Sequence, residues 1–227
     1  MGRRYVRSLE LYRFLRANLT KIITTDEKIF QLPANCGQSE FFFKKSKDRQ
    51  RHFFIRRQQS FPKQVMVWAG ISWNGKTKLR FIQPGVKINS VYYINNVLKP
   101  FINEDLKKLY PDNDGIFHQD SAPSHTSKRT LEFLRSSGIN FIPPSMWTPK
   151  SPDNAPMDFS IWGYMERELK KHKVKTMIGL KKALTQIWDE IPENVVQNTL
   201  LAWPKRCHLI RKSRGGNIEQ LLRIKSS

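Results

Sequence analysis

An α/β layer fold with a mixed sheet is what this sequence predicts, and three observations predict it. The first third of the chain is strand-rich and holds a hairpin signal. From about residue 90 onward, helical and short strand patterns alternate. The last third carries amphipathic helical stretches. Antiparallel strands followed by alternating helix and strand need helices packed on the sheet to cover both of its faces. A chain of 227 residues, 39% hydrophobic and 11% aromatic, is long and apolar enough for one sizeable core.

The elements follow in order. Residues 5–17 repeat apolar side chains at helical spacing, with Leu9, Leu11, Tyr12 and Leu15 as core candidates. A strand-like run, KIITTDEKIF, surrounds Asp26, and the FFF of 41–43 and FFI of 53–55 read as short strands. VMVWAGISW (65–73), Asn74-Gly75 and KTKLRFI (76–82) are the clearest local signal, because Asn-Gly between two strand-type runs favours a type I′ hairpin. Ser90 can cap a helix reaching about Tyr110, with a kink at Pro100. Gly115 to Gln119 reads as a strand, Ser124 or Thr126 as a helix cap, and INFIPP (139–144) as another strand. A Pro-rich loop over 143–156 leads to a helix burying Trp162, Met165 and Leu169. Leu180, Leu184, Ile187, Trp188 and Ile191 mark the next helix, and Pro192 opens a last one that Pro204 interrupts.

Forty Lys and Arg stand against 19 Asp and Glu, a formal charge of +21. Such an excess is unusual for an enzyme of small metabolites and points to a polyanionic partner, with a merely basic soluble protein as the plain alternative. Two cysteines, Cys36 and Cys207, make neither a disulfide framework nor a zinc set, which favours a reducing compartment. No apolar run is long enough to span a bilayer, so no membrane partner is expected.

Three acids stand out by position. Asp26 interrupts a strand-type run, Asp120 ends IFHQD where a strand opens to a loop, and Asp158 starts an apolar-faced helix. Each also has a plain reading: an edge-strand surface position for Asp26, a turn for Asp120, an N-cap for Asp158. If the two strands are neighbours, the carboxylates converge at one sheet edge and need a hard cation to coexist. Two Mg²⁺ or Mn²⁺ ions roughly 4 Å apart would clamp a scissile phosphate and activate the nucleophile without a general base.

The surrounding residues carry a resemblance. TTDEKIF (24–30), HQDSAPSHTS (118–127) and SPDNAPMDFSIWGYM (151–165), with VMVWAGISWNGKTKL (65–79) between the first two, resemble the catalytic motifs of the Tc/mariner transposase superfamily, in order and over almost the whole chain. The resemblance implies a ribonuclease H-like fold with a five-stranded mixed sheet, residues 1–227 forming a single catalytic domain. It identifies Asp26, Asp120 and Asp158 as the catalytic and metal-binding set, choosing Asp158 over Asp153. Between Asp120 and Asp158 lie 37 residues, a long spacing that places extra loop around Ser145–Lys150, and an aspartate at position 158 favours the mariner side. Ser121 and Asn154 depart from the common pattern without removing a ligand.

The resemblance further implies cleavage and strand transfer at transposon ends, two divalent ions, transposon-end and target DNA as partners, a homodimer and a nuclear location. Family members carry N-terminal helix-turn-helix domains, whereas 25 residues precede Asp26 here, so those domains are expected to be absent. A truncated or domesticated descendant acting only as a DNA-binding or dimerising module is the alternative. Lys44, Lys45, Arg49, Arg51, Arg56 and Arg57 occupy the place of a loop that reaches DNA or the partner subunit. They read equally as a solvated basic loop. Lys170, Lys171, Lys173, Lys175, Lys205, Arg206, Arg211, Lys212 and Arg214 are further phosphate-contact candidates. His125 reads as a helix cap or a contact to substrate DNA near the metals, and Trp68, Trp73, Trp162 and Trp188 as core.

Overall fold

The computed structural model describes residues 2–32, 41–43, 54–56 and 63–223. Helix α1 (Arg3–Asn18) buries Leu11 and Leu15 and passes through a 3-10 turn into β1 (Ile22–Gln31). β2 (Phe41–Phe43) and β3 (Phe54–Arg56) pair antiparallel as a separate ribbon. β4 (Gln64–Ser72), β5 (Gly75–Lys76) and β6 (Arg80–Ile82) follow. A helical stretch runs from α2 (Ser90–Tyr93) through π-helical segments Ile94–Leu98 and Phe101–Leu106 into α3 (Lys107–Leu109), the π turns flanking Pro100. Next come β7 (Ile116–His118), α4 (Pro123–Thr126), α5 (Lys128–Ser136) and β8 (Asn140–Phe141). A π-helical turn, Met157–Ile161, leads into α6 (Trp162–Leu169), and α7 (Met177–Glu190), α8 (Glu193–Lys212) and α9 (Glu219–Arg223) complete the chain's described part.

The main sheet has six strands, one more than expected. Its path is β5-β4-β1-β7-β8, with β6 also on β4. The return strand of the hairpin is split: β5 faces Ile71 and Ser72 while β6 faces Met66 to Trp68. At the break Thr77 still serves the ladder, its N–H donating to Gly70 O and its hydroxyl accepting from Gly70 N at 2.8 Å. β1 runs antiparallel to β4 and parallel to β7, which is parallel to β8.

Strand alternation divides the core between the two faces. Phe30, Val65, Val67, Ala69 and Ile71 pack against Trp162, Met165, Leu180, Leu184 and Trp188 of α6 and α7. Ile23, Trp68, Ile82 and Phe117 pack on the other face against Tyr93, Val97, Leu98, Phe101 and Leu134. Ile22 and Ile116 join Leu11, Leu15, Trp147, Trp203 and Cys207 beneath α1 and α8. Arg80 pins the second face to the helical stretch through Asp105 at 2.5 Å.

Local chemistry moved several expected boundaries. The hairpin turns at Trp73-Asn74, with Ser72 paired to Gly75; neither Trp73 nor Asn74 has a positive φ, so the turn is not type I′. Trp73 packs on the core and Asn74 donates to Leu109 O at 2.9 Å, which fixes the earlier register. Asn89, not Ser90, caps α2, and Ser127, not Ser124 or Thr126, caps α5. α8 runs through Pro204 without interruption. Its buried Trp203, Cys207 and Ile210 show that packing outweighs the lost backbone hydrogen bond, worth about 3 kcal/mol. Among the described residues no helix is long and apolar enough to cross a membrane.

Gly70 sits where β4 meets β1 most tightly: a Cβ there would lie 2.6 Å from Thr25 Cγ2. Gly70→Ala is expected to destabilise the fold by about 1–3 kcal/mol, read from the denaturation midpoint at unchanged slope.

Candidate active site at the carboxyl edge of the sheet

Two of the expected acids meet through strand register. β1 and β7 are adjacent and parallel, and Thr24 pairs with His118. Asp26 and Asp120 each lie two residues further along, Asp26 in the middle of β1 and Asp120 just past the carboxyl end of β7. The pairing stops there. β1 continues to Gln31 against β4 alone, while the chain after His118 turns off into α4. The flank of β1 beyond Thr24 therefore has no strand beside it, and the acids stand around it.

Asp158 comes from the opposite direction. It is exposed in the π-helical turn after Pro156, and neither it nor Pro156 makes a side-chain cap. That removes the plain reading of Asp158 as an N-cap. Trp162, one turn on, donates its indole N–H to Asp26 Oδ2 at 2.8 Å, tying the helix of the third acid to the first. Burial of Asp26, then the charge of Asp158 and that of Glu27, push the Asp26 carboxyl up to about 8 despite the Trp162 hydrogen bond. Asp158 is raised as well, by desolvation and by Asp120, with Lys28 opposing. Lys28 itself pairs with Glu166 at 2.9 Å.

Asp120 is held differently. Burial would raise it, but the hydrogen bond and charge of His125 and the Ala122 N–H leave it below the usual carboxylate range. His125 Nδ1 lies 2.6 Å from Asp120 Oδ1, and Nε2 lies 3.2 Å from Glu27 Oε1. Burial alone would lower this imidazole, yet its bonds to Asp120 and Glu27 carry it up to about 10. The ring stacks on Tyr93 with centroids 4.3 Å apart. Tyr93 O–H donates to Gln119 Oε1, whose amide donates to the His125 carbonyl. With its ring 3% exposed and both nitrogens turned to carboxylates, His125 has a structural role, the first of the two readings the sequence offered, although as a link between two acids and not as a helix cap.

Among the described residues no group of three His, Cys, Asp or Glu is gathered closely enough to enclose an ion as the side chains stand. The donor set nonetheless fits a hard divalent cation. Asp26, Asp120 and Asp158 offer oxygen atoms only, and a cation would offset the burial and the repulsion that raise Asp26 and Asp158.

Other singled-out residues fall elsewhere. Asp153 is buried, paired with Arg4, and its Oδ2 accepts from Ile218 N at 3.1 Å. It therefore fastens both ends of the described chain to the loop before Asp158. His118 is buried against Trp147 and Trp203, and burial lowers it to about 3. Arg206 binds the Asp153 carbonyl and Glu219 and covers Phe159, a structural task and not an open phosphate contact. Lys44, Lys45, Arg49, Arg51 and Arg57 lie outside the described residues, as does the side chain of Arg56. Glu27, Lys28 and Tyr93 were not anticipated. Strand alternation was the available signal, since it sends Asp26 and Lys28 to the α6 face and Glu27 to the α4 face.

No protein-family model matches the chain. The Tc3 transposase of Caenorhabditis elegans is 26% identical over 204 residues, covering 88% of this chain and 58% of that protein. The mariner Mos1 transposase of Drosophila mauritiana is 24% identical over 135 residues, covering 57% of this chain and 38% of that protein. The chain thus spans less than two thirds of the curated relatives it matches. The solved catalytic domain of Mos1 mariner transposase superposes with a TM-score of 0.72 at 21% identity, covering 96% of this chain and 94% of that one. A Mos1 paired-end complex with the left transposon end gives 0.76 at 23% identity, over 96% of this chain and 62% of that one. At such identity the superposition speaks for the fold, and the aligned sequences for a similarity along most of the chain. The chain is thus similar in sequence to transposases of the Tc and mariner types and shares the fold of the Mos1 catalytic domain.

Proposed function

We propose that this chain is the catalytic domain of a cut-and-paste DNA transposase, cleaving DNA at transposon ends and joining them to a target. The observation that carries the reading is the β1–β7 register, which brings Asp26 and Asp120 to equivalent positions two residues past the last paired residues of neighbouring strands, with Asp158 on the turn leading into Trp162, which binds Asp26. One continuous sheet with helices on both faces supports a single catalytic domain. Solved Mos1 structures are described as paired-end and strand-transfer complexes, and with Mn or Mg. That likeness and the charge of +21 support DNA as the partner; a homodimer on paired ends and a nuclear location belong to the same proposal.

Asp26, Asp120 and Asp158 would hold the divalent cation, two Mg²⁺ or Mn²⁺ ions in this reading. Bound there, the ions supply charge neutralisation at the scissile phosphate and lower the pKa of the attacking hydroxyl. The chain's own residues prepare the site. Trp162 fixes the orientation of Asp26. Ala122 N and His125 hold Asp120 ionised. Lys28 favours the charged form of Asp158.

On pre-nicked DNA with Mn²⁺, Asp120→Asn is expected to lower cleavage and strand transfer by at least about a hundredfold, with DNA affinity in a mobility-shift assay within about threefold of wild type. Equal activity of the two proteins would overturn the reading.

Stability should move the other way. Asp26 rises in the folded state from 3.8 to about 8, so the folded protein binds the extra proton and loses stability as pH climbs through that window. In chelator, Asp26→Asn should therefore melt higher than wild type at pH 8, by on the order of 5 °C, and the gap should close toward pH 4. Added Mn²⁺ should raise the wild-type Tm and leave the variant's nearly unchanged.

A further inference from the structure

We infer that His125 is a positioning residue for Asp120, acting through its Nδ1 atom, and that Glu27 is the anchor that sets the ring for this task; the inference rests on the catalytic reading above. Asp120 stands on the loop just past β7, where no strand neighbour fixes its side chain. Two donors take hold of the same oxygen. Ala122 N donates to Oδ1 at 2.9 Å, and His125 Nδ1 stands 2.6 Å from it. Oδ2 has no protein partner among the described residues' hydrogen bonds, and the Asp120 side chain is 45% exposed. One oxygen is clamped and the other is presented outward, the arrangement that suits a carboxylate binding a cation through a single oxygen.

The ring is itself constrained on every side. Its other nitrogen faces Glu27 Oε1 at 3.2 Å, across the unpaired flank of β1. Tyr93 stacks on its face, and Gln119 holds its backbone carbonyl at 3.2 Å. Glu27 follows Asp26 directly in β1, so alternation gives one acid to each face of the strand. The two neighbours thus serve the edge by different routes, Asp26 as a candidate ligand and Glu27 through the imidazole. Partners that orient metal ligands in this way commonly govern affinity by 10- to 100-fold when lost.

Side-chain geometry offers a decisive pair of variants. The amide nitrogen of Asn reaches the position of imidazole Nδ1, whereas that of Gln reaches the position of Nε2. His125→Asn should keep the donor to Asp120 and bind Mn²⁺ within about threefold of wild type, measured by electron paramagnetic resonance titration without DNA. His125→Gln should keep only the link toward Glu27 and lose about 10- to 100-fold in Mn²⁺ affinity, with cleavage falling in parallel. Wild-type affinity in His125→Gln, or equal loss in both variants, would overturn the inference. In the wild-type protein, imidazole ¹⁵N–¹H spectra should show a His125 Nδ1–H resonance that moves on adding Mg²⁺ and is displaced in Asp120→Asn. Its absence would overturn the inference even if neither His125 variant folds. Asp120→Asn separates the two readings. Full cleavage by that variant removes the catalytic function, whereas its inactivity beside a wild-type-like His125→Gln removes the positioning role alone.

Discussion

The parallel pairing of β1 with β7 is the contact from which the site is built. It spans only Ile22 to Thr24 against Ile116 to His118, yet it sets the relative height of two carboxylates far apart in sequence. Its shortness matters as much as its register. A longer ladder would seal the flank of β1 beside Asp26 and Glu27 with another backbone. Because β7 ends at His118, the chain turns off into α4 there, and the flank of β1 meets the His125 side chain instead of another strand. β4 stabilises β1 along Ile23 to Gln31 on the other flank, so the open side does not leave the strand unsupported.

Around that edge the protein accepts an electrostatic cost in a defined place. Asp26 is pushed up to about 8 by burial and by Asp158, and its partner Trp162 offers a single neutral donor. Asp120 has the opposite treatment, a cationic imidazole and a backbone N–H. The contrast follows from the two faces of β1. On the α6 face Asp26 meets apolar core residues and one indole N–H, while Lys28 is turned to Glu166. On the α4 face Glu27 and Asp120 together can support a buried imidazolium. Clustered carboxylates held against repulsion are a familiar compromise between stability and catalysis.

The third acid depends on remote contacts. Asp158 rides on a π-helical turn, and the loop before it is fastened by Asp153 to Arg4 and Ile218 and by Arg206 to the Asp153 carbonyl. Asn154 adds a bond to Thr148, and Cys207 donates to Asn154. Helices α1 and α8 thus act as a buttress for the loop that delivers Asp158, and α8 also binds the turn itself through Thr199 and Ser160. This explains why Asp153, so close in sequence, is a structural residue: its carboxylate faces α1 and is only 2% exposed.

By itself the sequence determined what depends on period and on short-range chemistry. The α/β class, the order of elements, the buried faces of α6 and α7 and the three acids were legible because alternation and helical spacing report which side chains leave water, and because the motif residues are contiguous. Contiguity also made Asp158 distinguishable from Asp153. What only the tertiary structure decided arises between segments remote in sequence. The hairpin turned one residue early because Leu109 accepts from Asn74. The sheet gained a sixth strand because Thr77 satisfies Gly70 in place of a continuous ladder. α8 ran through Pro204 because Trp203 and Cys207 bury beneath α1. His125 became a link between Glu27 and Asp120, 98 and 5 residues away in sequence, because β1 and α4 meet across the open flank. Local pattern fixes which residues face inward; only the packed chain fixes which of them meet, because the energy of each meeting belongs to both partners.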